Sequence, residues 1–198
     1  MVTDSSSSFS ISTDSTKLSS DDFNSLVKDS SNSYVEVEGD GDGLLTGGNG
    51  NDQLYSDKGN DYLAADKGND YLEAGNGNDT LYGGEGNDTM YGGGGNDQLY
   101  GGGGNDRLYG NKGNDYLTGG NGADTFAFNN KQEGIDVIKD FDGQQGDVIE
   151  IDKQGFGASS TDDFQYDSQS GALSFKNAQF VILENPANFS VADNVTLV

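Results

Sequence analysis

Nine aspartates, Asp52, Asp61, Asp70, Asp79, Asp88, Asp97, Asp106, Asp115 and Asp124, recur at a fixed interval of nine residues. Carboxylates placed so regularly can do acid–base chemistry, when two converge in unlike surroundings, or hold a hard cation through oxygen. Here each aspartate has much the same neighbours, so no single pair stands apart, and ligation explains the set better than catalysis. A glycine lies two residues before each one: Gly50, Gly59, Gly68, Gly77, Gly86, Gly95, Gly104, Gly113 and Gly122. Glycine's freedom allows the loop to turn its carbonyls inward, which makes the backbone oxygens near these glycines candidate ligands beside the carboxylates. Asparagine precedes eight of the nine aspartates, and it tolerates the left-handed backbone of a tight loop.

The chain as a whole is acidic, with 34 acidic against 10 basic side chains and a formal charge of -24. Such a polyanion excludes nucleic acid and anionic membranes as partners and favours cations. With no cysteine and no histidine, thiolate and imidazole metal sites, disulfide staples and the HExxH zinc motif are all ruled out. The commonest general base is missing too, so no enzymatic activity is expected. Residues Met1 to Ser30 contain neither a basic segment followed by an apolar run nor a membrane helix, so export would need another route and no membrane insertion is expected.

The aspartates belong to a repeat that runs without insertion from Gly47 to Ala127: GGNGNDQLY, SDKGNDYLA, ADKGNDYLE, AGNGNDTLY, GGEGNDTMY, GGGGNDQLY, GGGGNDRLY, GNKGNDYLT and GGNGADTFA. A degenerate copy, EGDGDGLLT, precedes it at Glu38 to Thr46. One apolar residue at position eight of each unit cannot make a helix face, and the glycine spacing is not that of collagen. The expected fold class is all-β: a parallel β-roll, or solenoid, in which six loop and three strand residues make a unit and two units make one coil. Inward positions form two columns, Leu54, Leu72, Met90, Leu108 and Phe126 facing Leu63, Leu81, Leu99 and Leu117. One such side chain stabilises by roughly 2 kcal/mol, several times less than ordering nine backbones costs. Stacking also brings like charges together: two carboxylates ~5 Å apart repel by about 0.8 kcal/mol in water and more in a protein. Cations must fill the columns, and calcium, which takes six to eight oxygens, suits them.

Three regions follow: a polar arm over 1–37, the calcium-binding roll over 38–127, and a C-terminal β cap over 128–198. In the arm, Ser20, Asp21 and Asp22 can cap a short helical turn over Asp21 to Lys28, and Tyr34, Val35 and Val37 suit a strand entering the roll. In the cap, strands are expected at Ile135 to Ile138, Val148 to Ile151, Phe164 to Tyr166, Leu173 to Phe175 and Phe180 to Leu183, with hairpin turns at DSQSG and KNA. Asp136, Asp140, Asp142 and Asp147 are either an extra cap calcium site or solvated turn residues. The second reading is favoured because no full EF-hand spacing is present.

The pattern GGxGxDxUx resembles the repeats-in-toxin (RTX) family of hemolysin-type calcium-binding repeats. The resemblance implies that each ion lies between two same-side loops, with one aspartate from each and backbone carbonyls completing the shell. Asp52, Asp70, Asp88, Asp106 and Asp124 then give four intervals, and Asp61, Asp79, Asp97 and Asp115 give three, for about 7 calcium ions. Ser56, Asp57, Ala65, Asp66, Ala74 and Asn111 replace first or second glycines, which leaves the loop geometry near Asp61 and Asp70 open. GADTFAF running into GIDVIKDFDGQQGDVIEID, and later DSQSGALSF, is similar to the caps of secreted RTX proteins, cyanobacterial ones in particular. Such caps imply a type I secretion machinery that reads an uncleaved C-terminal signal, for which Asp193 to Val198 is the matching segment, and an extracellular location where calcium drives folding.

Tyr91 and Tyr109 fall on one face of the roll and Tyr82 and Tyr100 on the other, each pair on neighbouring strands. Stacked aromatic pairs stabilise sheets by themselves, and the alternative is an extracellular polysaccharide surface. The functions that remain are a stand-alone secreted or surface-layer calcium-binding component, a polysaccharide-binding adhesion module, and an accessory folding or export module for a separate enzyme.

Overall fold

The computed structural model describes residues 8–12, 32–38 and 41–198. The helical turn expected at Asp21 to Lys28 lies outside the described residues. The chain winds into a β-solenoid of two sheets, each of nine strands. The first sheet runs Ser8–Ser12, Tyr34–Glu38, Gln53–Tyr55, Tyr71–Glu73, Thr89–Gly94, Arg107–Lys112, Thr125–Phe128, Val148–Ile151, Val195–Leu197. The second begins at Leu44–Asn49 and continues through Tyr62–Lys67, Thr80–Glu85, Gln98–Gly103, Tyr116–Asn121 and Asp136–Ile138. It ends in the strands Ala178–Leu183, Ala172–Phe175 and Phe164–Asp167, joined as antiparallel hairpins. Pairing within the repeats is parallel and in register at 18 residues, with Leu81 opposite Leu99 and Leu108 opposite Met90.

The two expected core columns are present, and every member is fully buried. Leu45 extends the second column at one end and Ile138, opposite Leu117, at the other; Phe126 is followed by Ile149 and then Val195. All five expected cap strands lie where the alternation of apolar residues puts them, a sixth, Val195–Leu197, adds to them, and Phe156, Phe164, Phe175 and Phe180 pack ring against ring beneath the hairpins. Between these strands are two single-turn helices, Lys153–Phe156 and Val191–Asn194. No described helix is long and apolar enough to cross a membrane.

One division within the repeat differs from expectation. Most repeat strands are six residues long, not three, and take in positions seven to nine of one unit and one to three of the next. The glycine at position two keeps its ladder partner despite a positive φ, as Gly84 does opposite Gly102. Only the Gly-Asn-Asp turn is left as loop. Strands stay three residues long at Gln53–Tyr55 and Tyr71–Glu73, beside the first of the departures from the glycine pattern. At Asp66 and Asn111 the left-handed backbone is kept without glycine, at φ 73 and 66, since short polar side chains are the ones that accept it.

Candidate metal centre

Each turn hangs on position four. All nine glycines there have positive φ, between 124 and 157. Stacking forbids any side chain as well: a Cβ on Gly95 would lie 1.5 Å from the carbonyl oxygen of Gly77, and one on Gly113 would lie 1.4 Å from that of Gly95. The N–H groups of seven of these glycines bond to position three of the next coil, as Gly77 does to Gly94 at 2.8 Å, while Gly113 bonds to the Glu133 carbonyl and Gly122 to the Gln145 side chain. No backbone N–H among the described residues bonds to the carbonyls of Gly68, Gly77, Gly86, Gly95 or Gly104, so their lone pairs remain for another partner.

The aspartates stand in two columns, buried to 3 % exposure or less. Asp52, Asp70, Asp88, Asp106 and Asp124 line one edge of the roll, and Asp61, Asp79, Asp97 and Asp115 the other. Oδ1 of each reaches back one coil to a backbone N–H: Asp79 N–H donates to Asp97 at 2.8 Å, and Asp97 N–H to Asp115 at 2.8 Å. Oδ2 of Asp61, Asp70, Asp79, Asp88, Asp97, Asp106, Asp115 and Asp124 is buried and meets no donor among the described residues. In six units it sits so close to the first glycine that a Cβ there would approach within 2.3 to 2.5 Å, as at Gly92 beside Asp97. Ala65 and Ala74 occupy the same place in their units, fully buried in the core, and Ser56 turns its hydroxyl to the Ala74 carbonyl at 2.8 Å.

A buried carboxylate with an unmatched oxygen is costly in its charged form. Burial raises Asp70, Asp79 and Asp106 to about 6 and Asp88, Asp97 and Asp124 to about 7, against the opposing effect of the backbone N–H each one accepts. For Asp88 and Asp97 the carboxylates above and below push in the same direction as burial. No group of three or more metal-ligating side chains converges among the described residues. An ion held here would take carboxylates in pairs and fill its shell from backbone oxygens. Hard anionic oxygen, unused carbonyls and small residues crowding Oδ2 form a donor set suited to calcium.

Three features escaped the sequence. None of the asparagines at position five is left-handed. Seven instead accept the position-five N–H of the next coil through the side-chain oxygen, as Asn78 does from Asn96 and Asn96 from Asn114, both at 2.8 Å, and Asn114 accepts the Ile135 N–H of the cap. The asparagine columns therefore run opposite to the aspartate columns in hydrogen-bond direction. Asp42, in the degenerate copy, takes the asparagine's place and accepts the Asn60 N–H at 2.7 Å. In the cap, the reading of solvated turn residues fails for Asp136 and Asp147, which are 2 and 3 % exposed. Nor do the four cap aspartates make one site. Asp136 continues the column of Asp115, and Asp147 that of Asp124. Asp140 instead accepts the N–H groups of Gly119 and Gly120, and the Asp142 N–H donates to Asp147. A buried turn aspartate at 21 or 23 residues' distance falls outside the nine-residue period, which hid both continuations.

The tyrosines stack as their spacing implies, Tyr91 with Tyr109 at 4.4 Å between ring centres and Tyr82 with Tyr100 at 4.7 Å. Tyr34, Tyr55 and Tyr71 prolong the first ladder towards the N-terminal end.

No curated protein matches the chain. A family model, the RTX calcium-binding nonapeptide repeat (4 copies), matches residues 39–72, 65–99 and 100–129, the stretch that carries both aspartate columns. Residues 39–129 are thus RTX-type calcium-binding nonapeptide repeats, wound into the β-solenoid described above.

Proposed function

We propose that this chain is a non-catalytic, secreted calcium-binding roll that folds when it meets calcium outside the cell, with about 7 ions between successive aspartates of the two columns. The observation that carries the reading is the row of buried Oδ2 atoms without donors. Calcium supplies positive charge and a large oxygen shell. The aspartates present one oxygen each to it while Oδ1 stays on the backbone, and the glycine turns keep side chains out of the way. With sites of the extracellular type, Kd ~10⁻⁴ to 10⁻³ M, cytosolic calcium adds almost nothing to folding, whereas free calcium about tenfold above Kd adds ~1.4 kcal/mol per site.

Export through a type I secretion machinery fits the same switch. Asp193 to Val198, the segment that resembles a C-terminal export signal, includes the strand Val195–Leu197, paired with Val148–Ile151. An exporter would read that segment only before this strand is in place. A polysaccharide partner is not favoured: Tyr82 lies between Tyr62 and Tyr100, and Tyr91 between Tyr71 and Tyr109, so neighbouring rings occupy the faces on which a sugar would stack.

The test is a calcium titration of chelated protein followed by far-UV circular dichroism and repeated with magnesium. A coil-to-β transition at sub-millimolar to millimolar calcium, absent with magnesium, is expected. A roll already folded in chelator and indifferent to calcium overturns the reading.

A further inference from the structure

The two aspartate columns end differently where the repeats stop. On the first edge, Asp147 accepts the Asp124 N–H through Oδ1 at 3.0 Å and the Asp142 N–H through Oδ2 at 2.8 Å, so hydrogen bonds satisfy both of its oxygens. On the second edge, Asp136 accepts the Asp115 N–H at 3.0 Å, and no second N–H among the described residues reaches its carboxylate. Asp115 is fully buried and its Oδ2 has no donor. Asp136 stands one coil beyond Asp115 in the same column, as Asp115 stands beyond Asp97. A third acid, Glu133, is 7 % exposed and close enough to repel both. It is held by the Asn129 N–H at 3.2 Å and the Asn130 side-chain amide at 2.9 Å. The ion pairs Lys67–Glu85, Arg107–Glu150 and Lys139–Glu184 involve none of the three.

Two buried carboxylates stacked one coil apart, one of them with an oxygen that meets no donor, are costly as anions unless a cation lies between them. We propose that Asp115 and Asp136 form a further divalent-cation site, outside the nonapeptide repeats, that pins the cap to the last coil of the second edge, with Glu133 adding negative charge beside it. The inference rests on the calcium reading of the repeats and extends it to a residue outside the period. Its ligand class is a hard divalent ion taking oxygen donors, the class the repeats are read to hold. A site there would fasten Asp136–Ile138 to Tyr116–Asn121 at the point where the regular ladder gives way to a longer connection.

Native mass spectrometry of the intact chain at saturating calcium, wild type against Asp136→Asn, tests it. The amide retains an acceptor for the Asp115 N–H, so the hydrogen bond survives while the anionic oxygens are lost. The variant is expected to carry one calcium fewer than wild type, with unchanged far-UV circular dichroism, and equal counts overturn the proposal. If the variant fails to fold, anomalous scattering from calcium in wild-type crystals decides. A peak between Asp115 and Asp136 supports the site, and its absence where the repeat intervals are occupied overturns it. A wild-type chain that binds no calcium anywhere brings down the underlying reading instead.

Discussion

At the scale of single residues, the repeat is governed by what each position excludes. Gly95 has φ +142 and lies 1.5 Å, measured from an added Cβ, from the Gly77 carbonyl oxygen. Alanine there meets both penalties at once, a disfavoured backbone and a clash with main chain that is itself stacked on the next coil. Gly103 is a position-three glycine with nothing within 4 Å of an added Cβ. Gly95→Ala is therefore expected to destabilise the calcium-loaded roll by about 3 kcal/mol or more, and Gly103→Ala to stay within about 0.5 kcal/mol of wild type. Denaturant unfolding at fixed calcium measures the difference, and equal losses would show that crowding at position four is not what fixes that glycine.

At the scale of elements, the repeat strands, five of the cap strands and both core columns were legible because the apolar residue at position eight returns every nine residues and those cap strands alternate in the ordinary way, whereas Ser8–Ser12 and Val195–Leu197 were not expected as strands. Strand length was not legible. Glycine carries no strand signal, yet Gly84 and Gly102 hold ladder partners across the second sheet. The asparagine columns were hidden for a similar reason: a side chain that bonds across 18 residues looks, in sequence, like one suited to a local turn. The Asn96 side-chain oxygen accepts the Asn114 N–H at the solvent-exposed end of the loop, where water replaces part of what is lost. Asn96→Ala is expected to cost about 1 kcal/mol, read as a modest rise in the calcium midpoint of the circular dichroism transition. A loss of several kcal/mol would mean the asparagine column carries the loops rather than merely closing them. In the site itself, position and spacing identified the repeat aspartates, whereas the place of Asp136 and Asp147 in the two columns became visible only once the coil set them beyond Asp115 and Asp124.

At the scale of the whole molecule, the columns of buried acids make folding depend on whatever neutralises them, and protons compete with calcium for that role. The folded-state values of Asp70, Asp79, Asp88, Asp97, Asp106 and Asp124 are raised to about 6 or 7, against about 3.9 for an unfolded aspartate. Between those limits the ion-free roll holds protons that the unfolded chain has released, so folding takes up protons and stability falls as pH rises. The contribution is fully present below about 4 and is lost as pH climbs through 6 to 7. In chelator, lowering the pH from 8 to 5, still above the isoelectric point of about 4.1, is therefore expected to increase β-structure in the far-UV circular dichroism spectrum. In calcium the direction reverses: protonating the same carboxylates weakens their hold on the ion, so the calcium midpoint is expected to move to higher concentration as pH falls from 8 to 6. If the chelated protein shows the same spectrum at pH 5 and pH 8, charge repulsion along the columns is not what keeps the ion-free roll open, and the thin core of one apolar residue per unit becomes the cause instead.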